Sequence, residues 1–249
     1  MHPPIILFDF DGVIITQKAL EYTALYYLKN DWYSWQNIDG LRLIDFARFF
    51  EESDVQDGME AIKMISNAYK PYIPNRFKRF LFFAKFGRRY RRFEKIYEQL
   101  KPDLEEILKR FKNNGIPMGI VSNSGKKRLK YFRRKFHLDD YFSIYTTRDD
   151  VPFRKPHPYP IIMTLKLMKD MFNFKGIDKK KVFFIGDLPS DIYCAKAANV
   201  NSIALLSGHG TKNQLKNSNP TYFIKDIKEL TELNENWLPN YMNNQKEVL

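Results

Sequence analysis

Two carboxylates two residues apart, Asp9 and Asp11, close a short apolar run, Ile5-Ile6-Leu7-Phe8, and Gly12 follows them. On an extended chain, residues two apart point the same way, and glycine permits a sharp turn. Two acids on one side of a buried strand end repel each other unless a cation or a shared proton intervenes. The pattern asks for a metal or for acid–base chemistry. Taken alone, Asp-x-Asp-Gly is equally a turn with capping carboxylates.

Three more apolar runs end in polar groups of a complementary kind. Ile120-Val121-Ser122-Asn123-Ser124-Gly125 runs from strand through hydroxyls into a helix start. A helix N-terminus with free backbone N–H groups is a ready anion site, although Ser122 or Ser124 also suits a plain N-cap. Phe153-Arg154-Lys155-Pro156-His157-Pro158 sets a lysine just before a proline-opened helix, with the backbone fixed by both prolines. A solvated lysine is the ordinary reading of Lys155, and His157 assists the helix start rather than catalysing. Phe183-Phe184-Ile185-Gly186-Asp187 puts Asp187 at a strand tip, with Asp191 in the first turn of the next helix. An acid there suits the helix dipole. Carboxylate oxygens also suit a hard cation such as Mg2+.

The elements that must carry these groups alternate along the chain. Short apolar runs at Ile5–Phe8, Ile116–Val121, Ser143–Thr146, Val182–Ile185, Ser202–Leu206 and Tyr222–Ile224 read as buried strands. Leu104, Ile107, Leu108 and Phe111 repeat at helical spacing, as do Leu129, Phe132 and Phe136; Ile161–Met171 and Ile192–Ala198 are also helix-like. Pro102-Asp103 resembles a helix start. Alternation of this kind predicts an α/β fold, a doubly wound parallel sheet with helices on both faces. Ligands in such sheets bind outside the carboxyl ends of the strands, where all four polar clusters fall. Residues 17–98 break the alternation and read as a helical insertion between the first strand and the rest of the sheet, in a core formed by 1–16 and 99–231. The polar, Asn-rich stretch 232–249 reads as a tail with little structure of its own.

The 249 residues, 44% hydrophobic and 28% charged, exclude wholesale disorder. No apolar run reaches the roughly 18 residues of a membrane span, and no signal-peptide pattern is visible. The single cysteine, Cys194, cannot form an internal disulfide and reads as a buried structural thiol; a reducing, cytoplasmic setting fits it. The net charge of +12 is local: residues 76–93 hold 8 basic and no acidic residues, and residues 126–135 hold 7 and none, which leaves the rest of the chain at −3. Such a field suits an anionic substrate, nucleic acid or an acidic membrane surface. The segment 76–93 interleaves its cations with Phe77, Phe80, Phe82, Phe83, Phe86, Tyr90 and Phe93. It reads as a helix with a buried aromatic face and a cationic outer face, with binding to nucleic acid or an acidic membrane as the rival. Residues 126–135 read as a solvated basic face that steers substrate.

Together, Asp9-Phe10-Asp11-Gly12-Val13, Ser122, Lys155 and Gly186-Asp187 with Asp191 resemble, in order, the four motifs of the haloacid dehalogenase superfamily, nearest to its phosphoglycolate-phosphatase-like hydrolases. The resemblance covers residues 5 to about 224. It implies a Rossmann-like core with an alpha-helical cap, here 17–98, whose loop Ile38-Asp39-Gly40-Leu41-Arg42 reaches toward substrate through Arg42. It implies that Asp9 attacks phosphorus and becomes an aspartyl-phosphate. Asp11 protonates the leaving oxygen and then helps deprotonate water. Ser122 and the Asn123 amide hold phosphate oxygens, and Lys155 neutralises phosphate and nucleophile. Asp9, the Asp11 carbonyl and Asp187 bind Mg2+, with Asp191 in support. Aspartate at position 11 distinguishes enzymes that pass the phosphoryl group to water or an alcohol from the dehalogenase and ion-pumping branches.

The expected activity is Mg2+-dependent hydrolysis of a small phosphorylated metabolite by a monomer or homodimer. A phosphosugar mutase on the same core remains open, as does a basic binding module on a retained hydrolase fold.

Overall fold

The computed structural model describes residues 2–16 and 73–232 and, between them, Lys18, Ala19, Tyr22, Thr23, Tyr26, Asn67, Lys70 and Pro71. The cap loop with Arg42, most of 17–98 and the tail from residue 233 lie outside the described residues. The chain divides into two compact units, Met1–Ile15 with Leu100–Leu249, and Thr16–Gln99.

In the first unit the described residues form a six-stranded sheet. Its strands are β1 (Ile5–Phe8), β2 (Met118–Val121), β3 (Ile144–Thr146), β4 (Val182–Gly186), β5 (Asn201–Leu205) and β6 (Tyr222–Ile224). Every pairing is parallel, in the order β3-β2-β1-β4-β5-β6. Central strands of a parallel sheet are covered on both faces, which is why they read as unbroken apolar runs. The period of two then sorts the side chains. Ile6 and Phe8 face one core with Ile120, Phe183 and Ile185, against Leu104, Ile107, Leu108, Phe111, Leu129 and Phe132. Ile5 and Leu7 face the other with Val182 and Phe184, against Ile161, Leu165, Met168 and Cys194.

The apolar repeats belong to the helices that cover the sheet. These are α2 (Leu104–Asn113), α3 (Lys126–Lys135), α4 (Tyr159–Met171), α5 (Pro189–Ala197) and α6 (Lys212–Asn217); α1 (Arg76–Tyr97) lies in the second unit. Two local details go beyond the sequence reading. Asp103 stands at the N-cap of α2 but makes no side-chain cap bond, because its backbone is left-handed, with φ of 61°. The short α6 escaped the pattern search: its one buried residue is Leu215, so it has no apolar repeat to read. Its Thr211 cap accepts from the Gln214 N–H.

In the second unit Asn75 caps α1, its side chain accepting from the Lys78 N–H. Phe82 and Phe86 are buried, but Phe77 and Phe80 are 68% and 66% exposed. Arg79 is buried, its guanidinium donating to the carbonyls of Ile73 and Pro74. A buried aromatic face backed by a purely cationic outer face is therefore too simple for α1. Buried Glu98 accepts from the Ala19 N–H and the Thr16 hydroxyl, each at 3.1 Å.

Candidate active site

The strand order reverses across β1 and β4, and a crevice opens at the carboxyl ends of strands where that happens. Asp9 follows β1 directly, Ser122 follows β2 and Asp187 follows β4, so three sequence-distant groups converge because their strands are neighbours. The Asp9 N–H donates to the Ile185 carbonyl at 2.8 Å, which continues the ladder to Asp9.

Asp9, Asp187 and Asp191 are all buried, and one carboxylate oxygen of each lies within 4.8 Å of the others. Lys155 is buried with them, its Nζ 2.6 Å from Asp9 Oδ1 and 2.6 Å from Asp191 Oδ1. Burial holds the Asp9 carboxyl well above its usual range; Asp191, Asp187 and Asp11 push it further up, and Lys155 opposes them. Burial likewise raises Asp191, again against the pull of Lys155. Burial alone would lower the Lys155 ammonium, but the carboxylates of Asp191 and Asp9 more than reverse that and hold it above its usual range. One ammonium against three buried carboxylates leaves an excess of negative charge, which a low-dielectric pocket tolerates poorly.

Asp191 is fully engaged. Its Oδ2 accepts from the N–H groups of Asp187 and Leu188 at 3.1 and 3.0 Å, and its Oδ1 pairs with Lys155. It therefore closes the turn into α5 and anchors the lysine. Asp187 is different. Its Oδ2 accepts from the His209 backbone N–H at 2.8 Å and lies 2.6 Å from His209 Nδ1, whereas its Oδ1 is buried and accepts no hydrogen bond. An orphaned carboxylate oxygen beside a second carboxylate suits a hard divalent cation. Among the described residues, Asp9 and Asp187, with Asp191 beside them, offer the carboxylate oxygens that could hold such a cation. Two glycines make room: a Cβ on Gly208 would stand 2.1 Å from the Asp187 Cβ, and Gly12, with φ of +76°, would meet Asp187 Oδ2 at the same distance.

Ser122 and Asn123 lie beside the cluster, whereas Arg42 falls outside the described residues. Ser122 is buried, and its Oγ accepts from the Ser124 N–H at 2.9 Å. Asn123 ties two loops: its side chain accepts from the Lys155 N–H at 3.0 Å and donates to the Lys155 carbonyl at 3.1 Å. His157 is exposed, and its Nδ1 accepts from the Tyr159 N–H at the start of α4. Cys194 is buried, and burial pushes its thiol up to about 12.

Two residues at the site were not picked out by sequence. Arg128 was read as part of a solvated face, yet its Nη1 lies 2.7 and 2.9 Å from the two Asp11 oxygens. His209 sits between two glycines just past β5, a strand-end position of the same kind as the others.

A family model described as haloacid dehalogenase-like hydrolase matches residues 6–205. The chain belongs to this family. Among solved structures, a haloacid dehalogenase-like hydrolase of Streptococcus pneumoniae superposes with a TM-score of 0.63 at 16% identity, covering 92% of this chain and 97% of that one. A hydrolase from Pseudomonas syringae gives 0.63 at 19% identity, covering 92% and 96%. At these identities the likeness is one of fold. A phosphoglycolate phosphatase of Photorhabdus laumondii is 28% identical over 145 residues, 55% of this chain and 59% of that protein. One of Escherichia coli K12 is 29% identical over 131 residues, 53% and 49%. The chain thus spans less than two thirds of the length of these curated relatives.

Proposed function

We propose that the protein is a Mg2+-dependent phosphatase of small phosphorylated metabolites that works through an aspartyl-phosphate. The observation that carries this reading is the buried cluster in which Asp9 meets Lys155 at 2.6 Å with Asp187 alongside. A phosphate monoester and a carboxylate nucleophile are both anionic, so positioning and charge neutralisation supply most of the catalysis. Asp9 forms the new O–P bond as the ester O–P bond breaks, and Asp11 gives its proton to the departing oxygen. Water then attacks phosphorus, the Asp9–phosphorus bond breaks, and Asp11 takes the proton back. Ser122 and the Asn123 amide hold phosphoryl oxygens. Lys155 offsets charge on Asp9 and the phosphoryl group. Mg2+ held by Asp9, Asp187 and the Asp11 carbonyl supplies further neutralisation when bound. Residues 17–98 are the helical cap of this reading, the part that sets substrate choice, with Arg42 as a substrate contact.

A screen of phosphorylated metabolites with Mg2+, reading released phosphate, tests the proposal. Release from at least one monoester, abolished by chelation and restored by Mg2+, is the expected result. No release from any ester would sink it.

One observation favours a second role for the other unit. On α1 the exposed Phe77, Phe80 and Leu81 stand among exposed Arg76, Lys78, Lys85 and Arg88. Aliphatic and aromatic side chains together enter a lipid interface, whereas bases stack on aromatic rings alone. We infer an anionic membrane surface as its partner. Vesicles rich in anionic lipid should bind at low salt and release as salt rises. Tighter binding to single-stranded DNA than to vesicles would contradict the choice.

A further inference from the structure

We propose that Arg128 is a positioning residue that, with Ser124, fixes the carboxylate of Asp11 for proton transfer; this rests on the phosphatase reading. Asp11 needs such support. It sits between the end of β1 and Gly12, whose φ is +76°, and its side chain is 20% exposed although its Oδ1 is buried, so one end of the carboxylate is open to water. A general acid acts only within hydrogen-bond reach of the oxygen it protonates, so the direction of the carboxyl must be held.

The support comes from the neighbouring strand's loop. Ser124 Oγ donates to Asp11 Oδ2 at 2.6 Å. Arg128 Nη1 lies 2.7 Å from Asp11 Oδ1, 2.9 Å from Asp11 Oδ2 and 2.6 Å from Ser124 Oγ. The guanidinium is itself held, its Cζ 5.6 Å from the Phe10 ring centre and 5.3 Å from that of Phe132. Both rings belong to the buried core. The same loop continues inward, because the Ser124 N–H donates to Ser122 Oγ at 2.9 Å. The proton donor and the phosphate-holding loop are therefore one connected unit, anchored through α3 to the core. In its ionised form, the one that takes the proton from water, Asp11 makes a charge-assisted contact that is stronger than a neutral one and fixes direction as well as distance.

A residue that acts through the acid leaves a signature in the leaving group. An alkoxide departs poorly without a proton, whereas p-nitrophenolate departs without one. The test compares wild type, R128Q, R128K, D11N and D11N/R128Q on p-nitrophenyl phosphate and on two alkyl esters, 2-phosphoglycolate and glycerol 3-phosphate. General acid catalysis spans roughly 100- to 10,000-fold. On that scale, R128Q should lose at least about tenfold more kcat on the alkyl esters than on the aryl ester. KM should carry little of the difference, R128K should recover part of it, and R128Q should add little to D11N. Equal losses on both classes of ester, a loss carried by KM, or full additivity with D11N would overturn the assignment. Thermal unfolding of each variant separates a folding defect from a positional one, and R128K keeps the test open should R128Q unfold. Wild-type protein that released no phosphate from any of the three esters would instead count against the phosphatase reading itself.

Discussion

Replacing Asp9 with asparagine exchanges one carboxylate oxygen for an amide nitrogen in a pocket where Lys155 Nζ stands 2.6 Å away. The amide is a poor nucleophile, so D9N should lose phosphate release by about a thousandfold or more, as losses of covalent nucleophiles do. The fold should not suffer. Lys155 keeps its pair with Asp191 at 2.6 Å, and one of three buried negative charges is gone. With chelator present, D9N should therefore melt at or above the wild-type temperature, the stability–function trade-off expected of a charged site. Differential scanning calorimetry beside a phosphate-release assay checks both halves; a large drop in melting temperature would show that Asp9 is structural. The residues legible at this scale are those whose type conflicts with their surroundings. Asp9 and Asp187 are acids joined to apolar strands, Asp191 stands in the first turn of the helix that follows, and Lys155 precedes a proline. Arg128 was illegible because an arginine in a run of seven cations looks like every other one. Only the fold shows that its helix turns it toward Asp11.

At the scale of elements, the strands were readable because both faces of a parallel sheet are buried, and an unbroken apolar run has no competing reading once turns bound it. All six runs named from sequence overlap the observed strands, and β1 and β6 coincide with them. Elements held by few apolar residues were harder. The six-residue α6 buries only Leu215, and the α1 reading failed where Phe77 and Phe80 face outward. The basic helix α3 is an instructive middle case, since only Leu129 and Phe132 are buried along its ten residues. So few anchors make each one important. Phe132 packs near Phe10 and Phe136, with ring centres at 6.0 and 5.8 Å. F132A should cost about 3–5 kcal/mol, the range for a buried phenylalanine. It should also remove one of the two rings under Arg128, so the surviving folded protein should lose activity on alkyl esters first. Urea denaturation gives the stability change; a cost under about 1 kcal/mol would mean that α3 is held by something other than this side chain.

The whole molecule couples these scales through charge. The sheet order gathers Asp9, Asp187 and Asp191 at one end of the strands, with Lys155 buried among them and Arg128 paired with the nearby Asp11. Folding therefore buries more negative than positive charge at the site. The carboxyls of Asp9 and Asp191 are raised by that burial. A carboxyl raised in the folded state contributes stability while it is protonated, and loses that contribution as pH rises through its folded-state value. Without a divalent cation the site should thus favour folding at acid pH and oppose it at neutral pH. A cation reverses this, because it binds the ionised carboxylates and is released by protons. Saturating Mg2+ should accordingly raise the melting temperature more at pH 8 than at pH 5, with binding to the native state supplying the shift. The D9N variant, lacking one oxygen ligand, should show a smaller shift at both. A shift independent of pH, or one unchanged in D9N, would mean that Mg2+ stabilises the protein somewhere other than between these carboxylates.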